Sequence, residues 1–180
     1  MTKAQTEAVV LHFARTLRQK DSWCGETHLQ KALYFLQQLT GVPLPVRFRL
    51  WKHGPYSFDL SDQIGELIGY GLLSVSRNPA PYGPTLLATE RAEKLLRCEA
   101  ETTQQYSAQI EFVTSELARK GVVDLERLGT ALLVTRAMPQ GTAQERASKL
   151  RELKPHVTEE QALQAVHAID AMEEQWKQAN

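Results

Sequence analysis

His28-Leu29-Gln30-Lys31-Ala32-Leu33-Tyr34-Phe35-Leu36-Gln37-Gln38 and, a short way on, Trp51-Lys52-His53-Gly54-Pro55-Tyr56-Ser57 are the stretches whose reading decides the fold. Leu29, Leu33, Leu36 and Leu39 recur at helical spacing, and Tyr34 and Phe35 widen the apolar face, so the first stretch reads as a core helix. Val46, Phe48 and Leu50 then alternate with Arg47, Arg49 and Trp51, a period of two that predicts a short extended segment ending at His53-Gly54-Pro55. A turn is close to obligatory there. Gly54 accepts a positive φ, Pro55 fixes the next φ, and Ser57 or Asp59 can cap the following helix.

Outward from this centre, a first helix is expected over about Lys3 to Lys20, burying Ala8, Val9, Leu11, Phe13, Ala14 and Leu17. A third covers about Asp59 to Tyr70, with Leu60, Ile64, Leu67 and Ile68 inward, and Gly71 ends it. Leu72, Leu73 and Val75 read as a strand, Ser76 to Pro84 as a loop rich in Pro, Asn and Gly, and Thr85 to Ala88 as the returning strand. Helix, helix, short strand, helix, strand, loop, strand is the element order of a winged helix. Thr89 is placed to cap a further helix that, with Tyr106, Ile110, Val113 and Leu117 in register, is expected to run on as a rod to about Lys120. Helices beginning near Asp124, at the capping-box pair Thr142 and Glu145, and at Thr158 complete the chain. The fold class is therefore mainly α (α+β): a winged-helix-like N-terminal core with a small β-hairpin in residues 1–98, then a C-terminal helical region, 99–180, packing on or extending from it.

Composition narrows the function classes. With 21 Lys and Arg against 21 Asp and Glu the net charge is zero, which weakens a general case for nucleic acid. The distribution is uneven: residues 1–57 hold eight cations against three acids, and residues 58–180 thirteen against eighteen. No uninterrupted apolar run of about 18 residues predicts a membrane span, and the first residues lack a signal peptide's apolar segment, so a cytoplasmic protein is expected. Cys24 and Cys98, far apart, form neither a disulfide framework nor a metal-binding pair and are expected to be free thiols.

Few residues suggest catalysis. His53 would be a general base or phosphate ligand in a functional reading, but no motif supplies a nucleophile or partner carboxylate, and a structural role at the turn is favoured. Cys24 and His28, four apart, suggest a thiol and its base, yet the helix start lies between them. Asp59, Asp62 and Glu66 line one side of the third helix, where a solvated face outweighs a metal site. In a winged helix that element enters the major groove, and three carboxylates there would face phosphates. No catalytic residue, metal or cofactor is implied. The stronger cluster is Arg47, Arg49, Trp51, Lys52, His53 and Tyr56, aromatic and cationic side chains of the kind that dominate interface energetics. A nucleic-acid alternative would use Arg47, Arg49 and Lys52 with Arg77 of the wing, in a homodimer pooling the positive charge of two subunits.

The helix Leu29-Gln30-Lys31-Ala32-Leu33-Tyr34-Phe35-Leu36, the turn Lys52-His53-Gly54-Pro55-Tyr56-Ser57 and the helix ending at Gly71-Leu72 resemble the Panacea or SocA-like antitoxin-associated domains, and especially the YwgA-like bacterial proteins. A weaker echo runs through Asp124-Leu125-Glu126-Arg127-Leu128-Gly129 and Leu153-Lys154-Pro155. Tyr56, where the SocA-like pattern commonly has valine, favours the YwgA-like branch. The resemblance implies a non-enzymatic bacterial module that binds another protein, in the Panacea group a toxin that it neutralises or delivers for degradation.

Overall fold

Two helices, at residues 3–19 and 26–40, are buried nearly all round through their middle turns, and the rest of the chain is wrapped on them. The computed structural model describes residues 1–78 and 83–179. In chain order it contains α1 (Lys3–Gln19), α2 (Glu26–Thr40), β1 (Arg49–Trp51), β2 (Gly54–Tyr56), α3 (Phe58–Gly69), β3 (Leu73–Ser76), β4 (Thr85–Ala88), α4 (Glu90–Cys98), α5 (Ala100–Gln105), α6 (Ser107–Leu117), α7 (Val122–Ala137), α8 (Ala143–Leu153) and α9 (Glu159–Ala179). It is mainly helical, with two small two-stranded antiparallel sheets. No described helix is long and apolar enough to cross a membrane.

A capping box between Thr2 and Gln5 starts α1, whose Ala8, Val9, Val10, Leu11, Phe13, Ala14 and Leu17 are fully buried. Burial of each large apolar side chain contributes about 1.5–3 kcal/mol before chain entropy is subtracted. β4, α4, α5 and α6 pack around α1, while α2 packs on β2, α6 and α7. The helices α7, α8 and α9 pack on one another, and one apolar cluster runs from Ala8 to Met172 across position 98.

The expected helices are present, and three local expectations are corrected. The single rod from Thr89 to Lys120 is instead α4, α5 and α6, because Glu99 and Tyr106 leave helical geometry (ψ 29° and 13°) and bend the chain around α1. The turn at His53 does not lead straight into α3: Gly54–Tyr56 returns as β2, pairing Arg49 with Tyr56, Leu50 with Pro55 and Trp51 with Gly54. Thr89 occupies the N-cap position of α4, yet its hydroxyl donates to the carbonyl of Gly71 instead of capping the helix. Within the expected loop Ser76–Pro84, residues 79–82 lie outside the described residues. The reciprocal Thr142–Glu145 and Thr158–Gln161 bonds begin α8 and α9 as the sequence indicates.

The first hairpin is pressed onto α7. Gly54 has φ +86°, and a Cβ there would stand 3.2 Å from the Glu126 carbonyl oxygen and 3.4 Å from Thr130 Oγ1. Across the contact, a Cβ on Gly129 would stand 3.1 Å from Pro55 Cδ. The positive φ favours glycine at position 54, and at both positions a side chain would fit only if the facing element gave way by a few tenths of an ångström. Gly54→Ala is expected to lower stability by about 1–3 kcal/mol in urea denaturation, since it adds left-handed strain to a collision with backbone. An unchanged midpoint would mean that the hairpin is free to lift from α7.

Candidate functional site

Of the polar residues that α2 buries, Gln30 and Lys31 are used to hold the hairpin. Gln30 is fully buried; its amide donates to the Ser57 carbonyl at 2.9 Å and accepts from the Ser57 N–H at 3.1 Å, standing in for a neighbouring strand. Lys31, only 1% exposed, donates from Nζ to the Pro55 carbonyl at 2.6 Å. Ser57, with its backbone held, accepts from the Leu60 N–H and caps α3.

From the opposite side Lys154, at the end of α8, donates to the Lys52 carbonyl and forms a 2.6 Å ion pair with Glu126 Oε1 of α7. The other carboxylate oxygen of Glu126 lies 3.3 Å from His53 Nδ1. One hairpin loop is thus gripped by two buried lysines from distant parts of the chain, around a single carboxylate. Burial raises the Glu126 carboxyl, but the hydrogen bond and charge of Lys154, and then of His53, outweigh it and hold it below its ordinary value. Burial pushes the Lys31 ammonium down to about 8; Glu126 attracts its proton and Lys154 repels it.

The six sequence-predicted interface residues divide between two places. Trp51, His53 and Tyr56 come together with Thr27, Lys31 and Phe58 around a cleft of about 230 Å³. Its aromatic side is open: Trp51 is 53% and Phe58 52% exposed, with edge-to-face contacts of Phe58 to Trp51 at 5.6 Å and to Tyr56 at 5.1 Å. The Tyr56 hydroxyl donates to Glu26 at 3.3 Å. Arg47 and Arg49 line a separate groove of about 580 Å³ with Tyr34, Phe48, Leu133 and Arg136. Arg47 is 4.0 Å from Asp59, Arg49 makes no ion pair among the described residues, and the Lys52 side chain is exposed. Arg77 is exposed beside β3, apart from both groups.

Lys31, Glu126, Lys154 and Phe58 are the residues that sequence reasoning did not assign to the site. The available signal was a lysine inside an apolar helix and the short echoes Asp124–Gly129 and Leu153–Pro155, which fold against the hairpin. Cys24 and His28 do not form a thiol–base pair. Burial raises the Cys24 thiol to about 12 and lowers the His28 imidazole to about 4, and His28 is hydrogen-bonded to the Ser22 hydroxyl at 3.3 Å and to the Leu117 backbone, not to Cys24. The row Asp59, Asp62 and Glu66 is exposed, with Lys3 paired to Glu66 at 2.6 Å. Among the described residues no group of three or more His, Cys, Asp or Glu is placed to hold a metal ion. No protein-family model and no curated protein matches the chain.

Two measurements check these electrostatics. Glu126→Gln leaves the buried Lys154 ammonium without its ion-pair partner and removes the negative charge that attracts Lys31, and is expected to cost about 3 kcal/mol in chemical denaturation; a loss below about 0.5 kcal/mol, as at an exposed pair, would show that the Lys154 ammonium reaches water. Because the Lys31 pKa is about 8 in the folded state against an ordinary 10.5, the native state binds fewer protons between those values. Stability should therefore rise as pH increases through that window, and the difference between the wild type and Lys31→Met should carry the rise. Parallel profiles for the two proteins would place the Lys31 ammonium in solvent.

Proposed function

We propose that the chain is a non-enzymatic bacterial protein-interaction module, antitoxin-like in binding and neutralising a partner protein, with a winged-helix-like core in residues 1–98 and a helical region in 99–180. The observation that carries this reading is the open aromatic face. Trp51 and Phe58 leave about half of their large side chains in water although Tyr56 packs beside them and the hairpin beneath them is fixed. Exposing such groups forgoes burial energy, and a preorganised aromatic cluster flanked by arginine suits a partner that supplies the missing cover.

The order α1, α2, hairpin, α3, β3, β4 supports the winged-helix-like assignment, and the Gln30-Lys31 helix with the Lys52–Ser57 turn supports kinship with the Panacea and YwgA-like proteins. A nucleic-acid role finds less support. The α3 surface that would meet phosphates carries Asp59, Asp62 and Glu66, and of the cations beside it Lys3 pairs with Glu66 and Arg47 stands 4.0 Å from Asp59.

Tagged protein incubated with lysate of its source organism, with and without nuclease, tests the reading. One protein partner should be recovered in both conditions, and Trp51→Ala should weaken its capture by about tenfold or more with little change in melting temperature. Recovery of nucleic acid alone, lost as salt is raised, would replace this reading with the winged-helix binder.

A further inference from the structure

We infer that the cleft between the first hairpin and the start of α2 binds a carboxylate carried on a ring or a short apolar group, with Lys31 as its counter-ion. This goes beyond partner binding and does not depend on it. The starting point is the charge balance behind the cleft. Lys31 from α2 and Lys154 from the end of α8 are both buried, and the carboxylate that faces them is Glu126 of α7. Its two oxygens are engaged elsewhere, one by Lys154 at 2.6 Å and the other by His53 at 3.3 Å. Glu26, at the start of α2, is held at the exposed edge by the hydroxyls of Tyr56 and Ser61, at 3.3 and 2.7 Å.

Lys31 is left with a neutral carbonyl partner and no ion pair among the described residues, although it is 1% exposed. A buried charge in that condition is costly, and a ligand that brings one negative charge relieves the cost. Lys31 forms part of the wall of the cleft, so the relief has a route of entry. Its Nζ also stands 6.0 Å from the centre of the Tyr56 ring, a polarisable but uncharged neighbour.

Size and lining select the ligand class. About 230 Å³ holds one ring or short alkyl group, and Trp51, Tyr56 and Phe58 supply the apolar contact. Among the buried groups behind the cleft, two ammoniums, Lys31 and Lys154, face one carboxylate, Glu126, an excess of one positive charge; no guanidinium lines the cleft, and Glu26 stands at its exposed edge. A monoanion offsets that buried excess, whereas a dianionic phosphate would exceed it by one charge. Binding draws on the protonated form of Lys31, whose lowered value near 8 makes affinity fall on the alkaline side of neutrality.

The test titrates phenylacetate into the full-length chain, following tryptophan fluorescence and the Lys31 side-chain methylene resonances, with phenylacetamide and phenethylamine as shape controls. The tripeptide Gly-Gly-Phe, with a free and with an amidated carboxyl terminus, distinguishes a free acid from the end of a peptide chain. At least one of the two acids should saturate, and each amide should bind about tenfold or more weaker than its acid. Raising the pH from about 7 to about 9.5 should weaken the acid by about tenfold or more, following the loss of one proton. Lys31→Met should bind acid and amide alike; if that variant does not fold, the pH series and the upward move of the Lys31 titration on saturation carry the decision in the wild type. Equal affinities for acid and amide, pH-independent binding, or no saturation by either acid would overturn the inference.

Discussion

The structure depends on two ammonium groups meeting two carbonyls of one hairpin. Lys31 reaches the Pro55 carbonyl from α2, and Lys154 reaches the Lys52 carbonyl from the end of α8. Neither contact is worth much as net energy, because the desolvation of each lysine offsets most of what the hydrogen bonds and the pair with Glu126 return. Their effect is on placement. A hairpin only three residues long on each side cannot hold its own register, and its inner backbone would be buried without partners. With Gln30 bonded to Ser57 and the lysines on either side, the orientation is fixed, and Gly54 and Gly129 let it approach α7 closely. That approach ties the C-terminal helices to the N-terminal part.

Local physics made the helices legible. The leucine spacing of α2, the capping pairs of α8 and α9 and the stop of α3 at Gly71 each depend on residues within a few positions of one another, so sequence alone specifies them. The divided rod was hidden for the opposite reason. Backbone bonds from Glu99 to Leu95 and from Tyr106 to Thr102 keep the helical i to i−4 spacing through both bends. The change of direction follows the surfaces on which the three segments pack, α1 for all of them and α2 for the last. The β2 strand was masked by Pro55, a residue that reads as turn and is tolerated in a short edge strand. Glu126 and Lys154 were out of reach because they lie 73 and 102 residues from their hairpin partners, and no periodicity spans such a distance.

Charge that cancels over the whole chain does not cancel over its surface. The extended segment through Val46 separates two grooves: one edged by Arg47, Arg49 and Arg136, the other by Asp59, Asp62 and Glu66 with Lys3. A uniform polyanion laid across this ridge would gain on one side and lose on the other. A protein surface, with both signs in a fixed pattern, can be complementary to both at once. The same alternation that made residues 46–51 legible as an extended segment therefore also sets the kind of partner its surface suits.

Trp51 links the aromatic face to the cleft. Its ring is an edge of the exposed cluster and a wall of the cavity that reaches Lys31, and Phe58 shares both roles. A group seated in the cleft would cover part of the surface that the proposed protein partner would need, or else would hold those rings in the orientation such a partner would meet. Either way the two proposed binding events would be thermodynamically linked, and the linkage would act equally in both directions. Because Lys31 supports the hairpin as well as lining the cleft, the protonation that strengthens an acid ligand also charges a group at the hairpin's base. The sensitivity of this surface to a small acid and to pH would then come from one residue, the lysine that the apolar pattern of α2 gives no reason to expect.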